Sequence, residues 1–403
     1  MTRIIPQTAA CAFLFLASVV LGAQERVVLP ADDERLEIRL EPLYEIGAVD
    51  GASWEEFQSL TAAAFGGDGR LYLLDLDGQR VVAAGPDGRF LHALGGRGDG
   101  PGEYRAPSAL VTLPDGRVAV WDLRKRAFLL YDADGEHLDE VRPDFDAGIP
   151  GRPFALAPDG SVLAMAERLI TGRLGHAFLS GSGVSRADGS VPLLRVPLID
   201  DGPTRVVTQV RIPVPDGPPP HPTRRGFEAL PSWGPLGGGR VALHHSDEYA
   251  IQIVRPDGQV ERVLERPPEP RRTTEADREA YRRQQALRPA RRLGQSGGGG
   301  SPPAPTDFWF SPVIPPVLAI TADGGDRIWV LRRDANDATR PGQVDVLSAT
   351  GRYLGTIPRA VLDATGSDGL PAAFGPDGRV VFLGRGEFDV PVARVYRLPP
   401  ALR

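Results

Sequence analysis

The feature that most constrains this chain is a recurring pair of turns. Asp-Gly and Gly-Gly dipeptides flanked by alternating apolar residues are strong hairpin signals, because glycine accepts the positive φ that such turns need. One series follows a short apolar run and precedes a strand-like segment: Asp68-Gly69, Asp115-Gly116, Asp159-Gly160, Gly238-Gly239, Asp323-Gly324 and Asp377-Gly378. A second series alternates with it: Asp87-Gly88, Asp134-Gly135, Asp201-Gly202, Asp257-Gly258 and Thr350-Gly351. From first turn to second the glycines are 19 apart three times (69 to 88, 116 to 135, 239 to 258), 42 apart at 160 to 202 and 27 apart at 324 to 351. Each unit therefore reads as four strands, A to D, with tight turns joining A to B and C to D. The second unit shows this best, as Ala109–Leu113, Arg117–Trp121, Ala127–Tyr131 and His137–Val141.

Four-stranded units of this size, repeated, are propeller blades, and six first turns mean six blades. The expected fold is all-β: a six-bladed β-propeller of four-stranded antiparallel blades. The sixth unit has a B strand (Val380–Leu383) and a C strand (Val392–Leu398) but neither second turn nor D strand. Leu36–Ile46, ahead of the first blade, is strand-like, and we expect it to complete the sixth blade and so remove two exposed sheet edges. Residues 24–403 then form one domain, against the two or three that 403 residues would otherwise suggest.

Composition agrees with short strands and tight turns: 48 Gly, 40 Pro and only 7% aromatic residues. A formal net charge of -6 argues against a nucleic-acid partner, which needs a concentrated basic face. Residues 1–23 read as a secretory signal, with Arg3 in the n-region, an apolar core over Ala9–Leu21 and small residues Gly22-Ala23 before Gln24. The expected location is periplasmic or secreted, with no membrane association after cleavage. Cys11 is the only cysteine and lies in that segment, so a chain starting at Gln24 has no disulfide, thiolate zinc site or cysteine nucleophile.

The first unit, Leu71–Leu110, runs LYLLDLDGQRVVAAGPDGRFLHALGGRGDGPGEYRAPSAL. It resembles the NHL-repeat pattern of strand, Asp, turn, strand, Asp-Gly, strand, then Gly-x-x-Gly-x-Gly-Pro-Gly-Glu-aromatic and Pro before the next blade. Val118–Val141 repeats the first part, and blades four and six match more loosely. The asparagine usual after the B-strand aspartate is absent, and Gly78 stands near its place. The resemblance implies a bacterial exported six-bladed NHL-like propeller, a class that ranges from binding scaffolds to lyases and lactonases. Fold alone does not choose among these. Lactonase-type members hold a divalent metal with acidic and asparagine ligands, and Asn336 is the sole asparagine here. Lyase-type members use histidines.

Four insertions break the repeat: in the B–C loops of blades three (around 168–190) and five (333–342), and in the D–A links after blades three (214–231) and four (267–315). In a meander blade, B–C loops and D–A links emerge on one face, so all four decorate one rim, where binding sites are usually built. The longest insertion should start with a helix capped by Thr274 and Asp277 and stopped by Pro289, followed by the Gly294–Ser301 linker and Phe308-Trp309-Phe310. It reads either as a lid with aromatics at the pocket mouth, or as a surface helix packed on the blade edges.

Several motifs dissolve on inspection. Gly294-Gln295-Ser296-Gly297-Gly298 lacks the strand and helix a nucleophile elbow requires. Arg97-Gly98-Asp99 lies inside the glycine-rich link, and Asp132-x-Asp134-Gly135 fits a hairpin turn better than a calcium loop. His176, His221 and His245 could converge as a zinc site, although loop histidines are more often solvated. The B-strand exits carry Asp75, Asp122, Glu167, His245, Arg332 and Arg385, which either face the channel mouth or bond to neighbouring blades. The candidate ligand-binding set is Arg97, Tyr104, Arg105, Asp122, His245, Trp309, Arg332 and Arg385, with Glu103 expected to brace its glycine-rich link instead. These residues point to a non-catalytic, cofactor-free binding scaffold for a small molecule, glycan or protein, acting as a monomer. The alternative is an enzyme, a histidine-metal lyase or a lactonase-type hydrolase, using zinc or calcium at the channel mouth.

Overall fold

Nine of the turn glycines (69, 88, 116, 135, 160, 239, 258, 351 and 378) adopt φ between +71° and +90°, so the turn series forms as the dipeptides dictate. Gly202 does not, and Gly324 lies outside the described residues. In the computed structural model these are 24–49, 51–157, 159–167, 190–199, 202–211, 224–267, 269–287, 308–323, 325–367 and 369–402. Residues 1–23, on which the signal reading rests, lie outside them.

Six four-stranded antiparallel blades result. Blade one comprises Leu60–Phe65, Leu71–Asp75, Arg80–Ala84 and Phe90–Leu94. Blade two comprises Pro107–Thr112, Val118–Asp122, Ala127–Tyr131 and His137–Val141. Blade three comprises Ile149–Leu156, Val162–Glu167, Ser190–Val196 and Arg205–Arg211. Blade four comprises Ser232–Pro235, Val241–His244, Ala250–Val254 and Val260–Glu265. Blade five comprises Val317–Ala322, Arg327–Arg333, Pro341–Ser348 and Tyr353–Ile357. Blade six has Ala373–Phe374, Arg379–Arg385 and Pro391–Arg397, and its outer strand is Glu41–Ile46, antiparallel to Pro391–Arg397. The N-terminal strand thus closes the ring, over a narrower span than Leu36–Ile46.

Alternation sends successive strand residues to the two faces of each blade, and both faces are packed. In blade five, Ile328 and Val330 meet blade four, while Trp329 and Leu331 meet blade six. Among the described residues this yields six apolar cores, one between each pair of adjacent blades. A missing blade would leave two of those faces in water, which is why closure matters.

The N-terminal segment does more than close blade six. Glu25–Val28 adds a fifth strand to blade four, parallel to Val260–Glu265. The Leu36 amide then donates to Thr356 O (2.8 Å), and the Thr356 amide donates to Glu34 O (2.8 Å), on the outer strand of blade five. One stretch of chain therefore binds the outer edges of three consecutive blades.

Candidate ligand-binding rim

On the loop-bearing rim, blades one and two are finished alike. Asp75 and Asp122 end their B strands and are fully buried. Asp75 accepts the amides of Ser59 (2.8 Å), Gln58 (3.2 Å) and Gly78 (3.3 Å). Asp122 accepts those of Arg105 (2.7 Å), Ala106 and Lys125 (both 2.9 Å) and Arg124 (3.0 Å). Each carboxylate thus stitches the turn after strand B to the link entering strand A. Asp122 is corrected accordingly, from ligand contact to backbone clamp. At Gly78, near the place of the usual asparagine, a Cβ would collide with the Asp75 carboxylate.

The glycine-rich link carries four of the expected residues. Tyr104 is completely buried with its ring 5.9 Å from that of Tyr131, and burial pushes its phenol well above the usual range, so it belongs to the core and not to the rim surface. Arg105 ion-pairs with Asp99, and Arg97 donates to Gln79 Oε1 (2.8 Å). Both remain exposed. Glu103 accepts the Gly100 amide (2.7 Å), bracing the link as expected. In blade six, the exposed Arg385 donates to Asp389 O (2.7 Å).

Blade four supplies the histidines. His244 is buried with Nδ1 3.1 Å from Ala250 O, and burial lowers its pKa to about 4, leaving it neutral at neutral pH. His245 beside it is partly exposed. His176 and His221 lie outside the described residues, and among those described no three His, Cys, Asp or Glu side chains gather as a metal site.

Arg332 is committed to another part of the chain. Its guanidinium grips Asp33 of the N-terminal segment through two bonds (2.9 and 2.6 Å). Arg266, fully buried, joins Asp33 (2.8 Å) to Asp345 (2.9 Å) and also donates to Pro30 O (2.9 Å) and Asp32 O (3.0 Å). Asp345 further accepts the Tyr249 and Thr356 hydroxyls (2.9 and 2.6 Å). Burial raises the Asp33 pKa, but the hydrogen bonds from Arg332 and Arg266 outweigh it and hold it at about 2. Two arginines and two aspartates thus fasten the N-terminal segment between blades four and five. Asp345 could have been suspected as the lone charge between Val344 and Val346; its partners could not.

Over blade five the insertions build a cap. Its helix, Glu275–Leu287, starts where the capping residues place it: the Asp277 amide donates to Thr274 Oγ1 (3.3 Å) and the Thr274 amide to Asp277 Oδ2 (2.9 Å). Two short pairings support it, Arg224–Gly226 with Phe308–Phe310 and Arg271–Arg272 with Val313–Ile314. Phe308 and Phe310 share one side of their strand and pack edge-on against Tyr281 of the helix (5.8 and 5.6 Å between centroids). Phe310 and Tyr281 pack with Phe227, Ile314 and Ala338 into a seventh small core. Gln284 donates to Thr339 O (2.8 Å), tying the helix to the B–C loop of blade five. Trp309 alternates to the other side of the strand and is partly buried. The aromatic triplet is therefore mainly the cap's own core, with Trp309 alone facing away from it.

The chain is a six-bladed β-propeller. A family model for DUF5128, described as a 6-bladed beta-propeller, matches residues 65–157. Among solved structures, the chain is similar to a Bacteroides fragilis protein described as exported (13% identity, 93% of this chain and 99% of that one, TM-score 0.47). It is similar also to a gluconolactonase from Xanthomonas campestris (15% identity, 90% of each chain, TM-score 0.47). A third is virginiamycin B lyase from Staphylococcus aureus (13% identity, 89% and 99%, TM-score 0.40). No curated protein matches the chain in sequence. Among the described residues, no helix is long and apolar enough to cross a membrane.

Proposed function

We propose that this protein is an exported propeller that binds a small molecule, glycan or protein segment on its loop-bearing rim, as a monomer and without catalysing a reaction or requiring a metal. The observation that carries this reading is the cap. A tightly turned ring needs no second apolar core on one rim, yet Phe227, Tyr281 and Phe310 build one over blade five, held by Gln284 and the pairing of Arg271–Arg272 with Val313–Ile314. Loops fixed on a rigid scaffold are the usual seat of recognition. The character of residues 1–23 supports export.

Thermal-shift screening of the chain from Gln24 tests the reading. Ligands found should lose their effect when residues 270–313 are replaced by a Gly/Ser linker, and keep it when the opposite rim is altered at Asp134-Gly135. Ligands indifferent to the cap and sensitive to the turn would refute it. Elemental analysis of the purified protein checks the metal-free expectation: stoichiometric zinc or calcium would count against it.

A further inference from the structure

The residue that distinguishes this rim is Arg333, last in the B strand of blade five. The pairing of that strand with Pro341–Ser348 slips between Leu331 and Arg333, and such irregularities re-aim side chains. Arg333 turns under the cap. Its Nε donates to Pro315 O (3.1 Å) and its Nη1 to Ala338 O (2.7 Å), while the guanidinium lies 5.5 Å from the centre of the Phe227 ring. No carboxylate of the described residues ion-pairs with it, although its neighbours Arg332, Arg266 and Arg271 all have one. Its Nη2 has no hydrogen-bond partner among the described residues, and the residue is partly exposed.

We infer that the ligand of this rim carries an oxyanion, carboxylate or phosphate, which docks on the free edge of Arg333 where the cap meets blade five. The inference rests on the binding reading above and names its ligand chemistry. A guanidinium with two donors tied to carbonyls is pre-oriented, and its remaining edge matches an oxyanion better than an ammonium would. Carbonyl bonds satisfy hydrogens and leave the charge uncompensated. Burial, with Arg271 nearby, lowers the Arg333 pKa to about 10, so it keeps its charge at neutral pH while lacking a counter-ion.

The test is thermal melting and calorimetric titration of the full mature chain with inorganic phosphate, and separately with acetate, against chloride at equal ionic strength. The wild type should gain about 2 °C at ten times Kd, and Arg333→Met should gain nothing while melting cooperatively in chloride. Acetate acting where phosphate does not would identify a carboxylate, and the reverse a phosphate. Arg333→Lys keeps the charge without the fork, and it should bind the effective anion at least roughly fivefold more weakly even if the methionine variant does not fold. An unaltered response in Arg333→Met or Arg333→Lys overturns the inference, as does a wild type that responds to neither anion. A cap-dependent screened ligand that ignores Arg333→Met would sink this inference and leave the rim reading standing. Ligands that ignore the cap would sink the rim reading itself.

Discussion

Blades one and two end their B strands in a carboxylate, and blade five ends its B strand in two arginines. The carboxylates of Asp75 and Asp122 look inward, to amides no more than 17 residues away in sequence, and make each blade complete by itself. The arginines look outward: Arg332 reaches Asp33, 299 residues away, and Arg333 reaches the cap. Regular blades are local objects, whereas blade five is where distant parts of the chain are joined. The difference separates a sector of the rim that only has to hold its shape from one that carries additions.

The largest effect should come from breaking the long-range joint. Deleting residues 24–47 removes the fifth strand of blade four, the Asp33 contacts and the closing strand of blade six together. The variant should lose cooperative melting and self-associate through the exposed edge in analytical ultracentrifugation; a stable monomer would show that the joint is dispensable. Next comes the local clamp. Asp122→Ala leaves four backbone amides without their acceptor and should cost about 3–4 kcal/mol in denaturant titration. A smaller, pH-dependent effect belongs to Asp33. Its folded pKa is about 2 against an unfolded value of about 4, so its contribution is present above pH ~4 and is lost as the pH falls through about 2. Discounted for its partial exposure, Asp33→Asn should cost about 1–2 kcal/mol at pH 7, and the gap between mutant and wild type should close between pH 4 and 2. Constancy of that gap over this range would detach Asp33 from the joint. Least is expected of Arg385→Ala, whose exposed side chain bonds within its own loop: a stability change within about 0.5 kcal/mol.

How much of this was legible in the sequence follows the same division. Nine of the turn glycines, the blade count and the Thr274 cap depend on residues within a few positions of one another, and they form as read. The closing strand was legible as a deficit at one end matched by a surplus at the other, although its bounds contracted to Glu41–Ile46 because residues just before it run along blade five instead. The site was less legible. Polar residues at B-strand exits have the same pattern whether they clamp amides, as Asp122 does, or cross to another element, as Arg332 does. Only the pairing of segments more than 200 residues apart decides between these. Arg333 has no signal of its own in the sequence, because its partners, Pro315, Ala338 and Phe227, come from three separate segments.

In the function proposed above, recognition belongs to the joined, capped rim and not to the tight-turn rim. Hydrogen–deuterium exchange, with and without a ligand found by screening, tests this most directly. Exchange should slow at residues 224–227, 271–287, 308–315 and 333–342, with the Asp68-Gly69, Asp115-Gly116 and Asp134-Gly135 turns unchanged. Protection confined to those turns, with the cap exchanging as in the free protein, would contradict it.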